Sequence, residues 1–367
     1  MAKDDLKKQE YALWACSIKG IGIRKLMALE REFQTPERIF LAKREELEKV
    51  DGICSRDIHN IMESKRNFDP EPFFRQLKQE KMACALYFSK EYPKRCRQIY
   101  DPPRKLFYMG RMPEEKICIA VVGARSCSHY GRETARKFAS RLASAGVGIV
   151  SGMARGIDGW AHQGALEGGG RTYAVLGNSA EICYPAEHEK LYRSILKNGG
   201  VLSEYPPGTE AAPHRFPERN RIISALSDGV LIVEARIKSG SLITADQALS
   251  QGRDVFVIPG RAGDALSEGC NNLIKQGANL VTSPEEIIEY YGIVEERKKE
   301  NFRNIDIFLE RREKMVYASL SLEPKHFNVL TRELDMKSVE VMDAVLTLRK
   351  HGLIKEIGNH YYIKNVS

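Results

Sequence analysis

The chain has 367 residues (41.5 kDa), 43% of them hydrophobic and 29% charged, a formal net charge of +8 and a pI near 8.9. That is enough for two or three domains with real cores, and the mild basic excess favours a polyanionic partner without forming a basic tail. None of the eight cysteines forms a Cys-x-x-Cys pair, the start MAKDDLKKQE has no apolar signal region and no stretch is long enough to cross a membrane, which disfavours zinc, disulfides and membrane insertion and leaves a cytoplasmic protein.

Residues 1–68 read as a small helical domain. An amphipathic helix over Leu6–Ile18 is followed by Lys19-Gly20-Ile21-Gly22 and a second helix, Arg24–Phe33. Helix, Gly-Ile-Gly, helix is the pattern of a helix-hairpin-helix (SAM-like) domain, in which glycines let backbone N–H groups approach a phosphate; the alternative is a tight interhelical turn. A second copy, Val50-Asp51-Gly52-Ile53-Cys54, has cysteine where the second glycine would stand. Residues 69–115 are broken up by Pro70, Pro72, Pro93, Pro102, Pro103 and Pro113. A helix is expected over Phe73–Gln79 and a strand at Leu106-Phe107-Tyr108, and this stretch is assigned to the next domain as a lead-in subdomain.

That domain, 69–294, reads as a doubly wound, Rossmann-type α/β sheet. Apolar runs at Ile117–Val122, Val147–Val150 and Tyr173–Leu176 end at Gly123, Ser151-Gly152 and Gly177. Further strands are expected at Gly200–Tyr205, Gly229–Glu234, Asp254–Ile258 and Leu280-Val281. Helical patterns fall between them: Tyr130–Ala145, Ile157–Leu166, Glu187–Lys197, Glu218–Leu226, Ser241–Gln251 and Cys270–Gln276. Continuous apolar strands alternating with helices mean a parallel sheet covered on both faces. Glu295–Asn304 reads as a charged linker. Residues 306–367 then form a winged helix: helices at Lys314–Ser319, His326–Leu334 and Val339–His351, and a hairpin of Leu353–Ile357 with His360–Ile363 around Gly358-Asn359. The face of its third helix carries Lys337, Glu340, Asp343 and Lys350. Two acids there would oppose DNA, which favours an interaction module.

Each sheet strand ends in a small-residue loop that opens a helix, so unpaired N–H groups and positive helix ends gather along one edge. Arg125 and Arg155 sit in those loops, which makes it a phosphate-binding edge. No G-x-G-x-x-G follows the first strand, where Gly123-Ala124-Arg125-Ser126 stands, and no Gly-Lys-Ser/Thr is present; dinucleotide binding and P-loop hydrolysis are disfavoured, and no cofactor is expected. Asp158 and His162, four apart, read as a helix cap and a helix-surface hydrogen bond rather than an acid–base or metal pair, for want of a third ligand or a nucleophile. His214-Arg215-Phe216-Pro217-Glu218-Arg219-Asn220-Arg221 is the richest cluster. Two guanidinium forks, an amide and a stacking ring at a helix start suit single-stranded nucleic acid, against the plainer reading of salt bridges to Glu204 and Glu234. Ser239-Gly240-Ser241-Leu242-Ile243-Thr244 adds a hydroxyl-rich helix start at the same edge. Arg125, Arg219 and Arg221, with Arg155 as a fourth member, are expected to form one pocket.

Val122-Gly123-Ala124-Arg125, Ser151-Gly152 with Gly156-Ile157-Asp158 and Ala161-His162, Phe216-Pro217-Glu218-Arg219-Asn220-Arg221, Val233-Glu234-Ala235 and the Ser239–Thr244 run resemble the DNA-processing protein DprA (Smf) family. The likeness continues through Val257-Ile258-Pro259-Gly260 and Gly269-Cys270-Asn271-Asn272-Leu273-Ile274, and both flanking domains resemble the family's usual ones. It implies a bacterial cytosolic protein, not an enzyme, that binds and protects incoming single-stranded DNA in natural transformation, helps load the RecA recombinase and forms a homodimer through the sheet domain. The candidate single-strand contacts are Gly123, Arg125, Ser151, Gly152, Arg155, Phe216, Arg219, Asn220, Arg221, Ser239 and Ser241. One departure stands out. The family's second glycine and aspartate after the third strand, and its asparagine after the Tyr-Pro pair, give way here to Leu176-Gly177-Asn178-Ser179-Ala180-Glu181 and Tyr184-Pro185-Ala186-Glu187-His188, where Ser179 narrows the backbone freedom. The rival reading is a nucleotide-processing enzyme like the lysine-decarboxylase-like phosphoribohydrolases, whose Pro-Gly-Gly-x-Gly-Thr loop this chain lacks.

Overall fold

The apolar runs form strands with every residue buried, as a sheet covered on both faces requires. The computed structural model describes residues 3–293, 309–321 and 324–364; the expected linker Glu295–Asn304 lies outside them. The strands are β1 (Ala83–Leu86), β2 (Lys105–Gly110), β3 (Cys118–Val122), β4 (Gly148–Ser151), β5 (Thr172–Leu176), β6 (Gly200–Ser203), β7 (Gly229–Ile232), β8 (Asp254–Val257) and β9 (Asn279–Leu280). They make one nine-stranded sheet in the order β1-β2-β6-β5-β4-β3-β7-β8-β9. From β6 to β9 all neighbours are parallel, whereas β2 pairs antiparallel with both β6 and β1. The chain winds outward from β3 to β6, then returns to lay β7 against the other side of β3. The carboxyl ends around β3 therefore flank a topological switch point.

The lead-in segment is thus part of the sheet. β2 was legible as an apolar run, but β1 is only Ala-Cys-Ala-Leu and reads as a strand only once β2 offers it a partner edge. Side chains alternate along each strand. Ala120, Val122, Val150, Val175, Leu202, Val230 and Ile232 pack on one face with Ile222, Ile223, Leu226 and Ala245. Ile119, Val121, Ile149 and Leu231 pack on the other with Phe138, Leu142 and Ala161.

The N-terminal helices, Lys3–Ser17, Ile23–Phe33, Pro36–Leu41, Arg44–Leu47 and Ser55–Asn67, belong to the same compact unit as the sheet, Met1–Ile293. Their apolar side chains, Trp14 and Leu26 among them, join the core that lies under Leu106, Val150 and Val230. Arg104 donates to the carbonyls of Ile18 (3.4 Å) and Ile21 (2.7 Å), so the first Gly-Ile-Gly turn is fastened to the lead-in segment. Gly20 and Gly52 both take a left-handed backbone, at φ 79° and 81°. Gly22 and Cys54, which follow, are extended helix caps that any residue adopts. Cysteine in the second turn therefore changes nothing in its local geometry.

Residues Val294–Ser367 form the second unit. Its helices Arg311–Ser319, Phe327–Leu334 and Ser338–Lys350 pack Val316, Leu330, Val341, Val345 and Leu348 against Ile354 and Tyr362 of a three-stranded antiparallel sheet. The hairpin turns at Asn359-His360, both at positive φ, one residue beyond the expected Gly358-Asn359. Gly358 is instead part of an irregularity in the strand pairing. Glu340 does not stand free on the third helix: it pairs with Arg312 at 3.1 Å and accepts the Lys337 amide. The outward residues include Val339, 71% exposed, and Leu346, 53% exposed.

Candidate functional site

A cleft of about 590 Å³ opens at the carboxyl ends of the strands around β3. Its walls are the loop Val122–Ser126 after β3, Ala154 and Asp158 after β4, the start of helix Arg215–Ala225, and the run from Arg236 to Thr244 after β7. A smaller hollow of about 50 Å³ shares Arg125, Ala154, Tyr184, Phe216 and Arg219 with it and adds Gly152, Arg155, Gly177 and Asn178.

The loops converge because they lack side chains at the crossing points. A Cβ on Gly123 would lie 2.7 Å from Ile157 and 2.9 Å from the Glu234 carbonyl. The Ala124 amide donates to that carbonyl (2.7 Å), and the Ala124 carbonyl accepts from Ile157 (3.2 Å). At Gly152 a Cβ would lie 2.6 Å from the Asp158 carboxylate and 2.7 Å from the Arg219 guanidinium. Only hydrogen fits between those two charges.

Arg219 is 4% exposed. It donates to the carbonyls of Gly152 (2.8 Å) and Val175, tying the ends of β4 and β5 to helix Arg215–Ala225. Burial lowers its pKa to about 10, with the Arg125 charge acting the same way and Asp158 opposing both, so it stays cationic at neutral pH. Asp158 accepts the Gly152 amide at 3.1 Å; burial raises its pKa, and Arg219 and the loop amides counter that. His162 bonds Thr172 at 2.6 Å, and burial pushes it down to about 3, so the ring is neutral. The expected helix-surface hydrogen bond is therefore corrected: both residues are interior, because this helix packs against both the sheet and helix His129–Ser144.

The other expected contacts divide by what their side chains touch. Gly123, Arg125, Phe216, Asn220, Ser239 and Ser241 line the main cleft with Arg219. Arg125 is exposed and makes no ion pair among the described residues; its guanidinium sits 5.2 Å from the Phe216 ring centroid. Asn220 accepts from Arg219 (3.2 Å) and donates to the Gly240 carbonyl (3.4 Å), next to the helix start at which Ser239 and Ser241 share a 2.8 Å hydrogen bond. Arg155 and Gly152 border the smaller hollow, but Arg155 is held by Glu187 and the Gly152 amide is taken by Asp158.

Two expectations fail on geometry. Ser151 is buried and donates to the Val121 carbonyl at 2.7 Å, joining β4 to β3. Arg221 does not join the arginine pocket. Two positions from Arg219, it points about 200° round the helix, where its Nη2 donates to both Glu204 oxygens (2.7 and 2.8 Å) and its Nε to Asp101 at 3.2 Å. It lines a separate cleft with Arg104 and Glu218. The plainer salt-bridge reading was right for Glu204 and wrong for Glu234, whose carboxylate accepts from Ser128 at the start of helix His129–Ser144.

Three residues of the cleft were missed. Tyr184, in the loop after β5, stacks on Phe216, and Arg236 and Lys238 are exposed at the rim with no side-chain partner among the described residues. Ser179 turns out to be no obstacle. Its φ is not positive, its amide bonds the Thr209 carbonyl (2.9 Å), its hydroxyl bonds Glu181 (2.8 Å), and it lines neither the cleft nor the hollow. Among the described residues no three His, Cys, Asp or Glu converge on a metal position, and no helix is long and apolar enough to cross a membrane.

A family model described as DNA recombination-mediator protein A matches residues 83–292. Protein Smf of Escherichia coli is 50% identical over 203 residues, 55% of this chain and 54% of the relative, so the match spans about half that protein's length. DNA processing protein DprA of Streptococcus pneumoniae is 46% identical over 198 residues, 54% of this chain and 70% of the relative. Protein Smf of Synechocystis is 35% identical over 292 residues, 78% and 73% respectively. Of solved structures, DNA processing protein A from S. pneumoniae aligns with a TM-score of 0.65 at 34% identity over 76% of this chain and 97% of that one. The Helicobacter pylori protein, whose structure is described by its unique single-stranded DNA binding mode, aligns at 0.53 with 31% identity over 57% and 95%.

Removing the Arg219 guanidinium strands two buried carbonyls and leaves Asp158 without its cationic neighbour. Arg219→Ala is expected to cost about 3 kcal/mol or more in chemical denaturation. Arg219→Lys will recover only part, because an ammonium lacks the planar fork. An Arg219→Ala protein as stable as the parent would contradict this role.

Proposed function

The chain belongs to the DNA recombination-mediator protein A family, and on that premise we propose that the cleft beside β3 holds single-stranded DNA. The observation that carries the reading is the imbalance of its wall. Arg125, Arg236 and Lys238 have no ion-pair partner among the described residues, Arg219 adds a fourth cation, and Asp158 is the one carboxylate lining the cleft. Uncompensated cations in a concave wall attract a polyanion. The helix start at Ser239-Gly240-Ser241 adds amides and a positive dipole end. The Tyr184–Phe216 pair places aromatic surface among the charges, which suits unpaired bases.

The same reading extends to protection of incoming DNA in natural transformation, transfer of the strand to the RecA recombinase, and pairing of two chains through the sheet domain; the family's description as a recombination mediator supports the link to recombination. The C-terminal unit is taken as a winged helix-turn-helix serving as an interaction module. Its third helix turns Val339, Asp343 and Leu346 outward, which does not suit a phosphate backbone. No catalytic step is assigned, since Asp158 and His162 are engaged in the interior.

Salt dependence tests the reading. Each arginine on a phosphate contributes about 0.7 to the slope of log affinity against log salt for single strands. Arg125→Ala should weaken binding to all sequences and flatten the slope by about that amount, while Arg221→Ala, in its separate cleft, leaves the slope unchanged. Equal slopes in the parent and Arg125→Ala would place the strand elsewhere.

Glu187 occupies a guanidinium at the edge of the smaller hollow. Glu187→Gln frees Arg155 and should strengthen single-strand binding while steepening the slope by about 0.7. Weaker binding would show that Glu187 positions Arg155 rather than competing for it.

A further inference from the structure

Tyr184 is the aromatic residue that the motifs leave without a role. The residue is 47% exposed, in a protein that buries most of its large apolar side chains. It faces Phe216 with centroids 5.6 Å apart and planes inclined by 28°. Every other aromatic pair among the described residues is tilted or edge-on. The Tyr184 hydroxyl makes no hydrogen bond among the described residues, so it is the ring rather than the phenol that is positioned.

Phe216 is the obvious stacking residue from the sequence, but it is only partly exposed and already has neighbours on its ring. Tyr184 stacks on it, the Arg125 guanidinium sits against it, and the Gly177 backbone is so close that a Cβ there would lie 2.9 Å away. The more open aromatic surface in the cleft therefore belongs to Tyr184. Tyr184 also lines both the main cleft, with Arg125, and the smaller hollow, with Arg125 and Arg155. A strand held by Arg125 in the main cleft comes within reach of this ring.

Resting on the single-strand reading of the cleft, we infer that Tyr184 is its base-stacking platform and sets its preference for strands with unpaired bases. Phe216 stacks on one face of the ring. A duplex, whose bases are stacked on one another, has no free face to offer it, and a polyanion without bases gains only the ionic contacts.

The test compares oligo-dT with an abasic strand of equal length and with duplex DNA, using the full chain. The parent should bind oligo-dT at least tenfold more tightly than the abasic strand, and Tyr184→Leu should remove about tenfold of oligo-dT affinity without altering its salt slope. Tyr184→Phe should keep the preference, since the hydroxyl has no partner. A Tyr184→Leu protein with the parent's full preference for oligo-dT overturns the inference. Should that variant misfold, the parent itself decides: 5-iododeoxyuridine in the oligonucleotide should photocrosslink to Tyr184, and crosslinks confined to other residues overturn the proposal. Salt-dependent binding with no oligo-dT preference sinks this inference alone, whereas absence of salt-dependent binding to either strand sinks the cleft reading with it.

Discussion

One buried guanidinium holds the cleft together. Arg219 reaches from helix Arg215–Ala225 to the carbonyls of Gly152 and Val175, so the ends of β4 and β5 are fixed relative to the helix that brings Phe216 and Asn220. Its charge is sustained by Asp158 across Gly152, where no side chain fits. Desolvating such a group is expensive unless its hydrogen bonds are made. The carbonyls, Asn220 and Asp158 together offset that cost, leaving a rigid cationic floor under the site.

Rigidity below allows charge to stand open above. Arg125, Arg236 and Lys238 rise from loops whose backbones are pinned, the first by the Ala124 bonds to Glu234 and Ile157 and the others by the turn leading to Ser239. Fixing cations before a ligand arrives reduces the ordering cost of binding. Arg155 is arranged differently, for its fork is satisfied by Glu187 until something displaces the carboxylate. Arginines along one sheet edge thus perform three tasks: Arg219 holds the walls, Arg125 faces the cleft, and Arg221 binds Glu204 and Asp101 of the neighbouring cleft.

Much of the sheet was legible because buried parallel strands announce themselves as short apolar runs, and the seven parallel strands fall within a residue or two of where those runs predict them. β1 was not, since its four residues depend on pairing with β2. The site was legible as a set of loops more than as a set of contacts. Helical periodicity alone could have separated Arg219 from Arg221, because positions two apart on a helix face opposite ways. The apolar run stops at Val150 and so leaves Ser151 in the loop, whereas β4 continues one residue further. The pairing of Arg155 with Glu187 spans two loops and has no local signature. Tyr184 stands in the Tyr184-Pro185 pair of the resemblance but is given no role there, and the Arg236–Lys238 pair lies just outside a motif, although a cationic pair directly after the β7 end was signal enough.

The central claim is that the strand lies in the cleft beside β3. Hydrogen–deuterium exchange of the full chain, with and without saturating oligo-dT, tests it most directly. Protection is expected in the loop Val122–Ser126, around Tyr184, at the start of helix Arg215–Ala225 and from Arg236 to Thr244, with little change at the Gly20-Ile21-Gly22 turn or in helix Ser338–Lys350. Protection confined to that turn or that helix, with the cleft loops exchanging as before, would contradict the account.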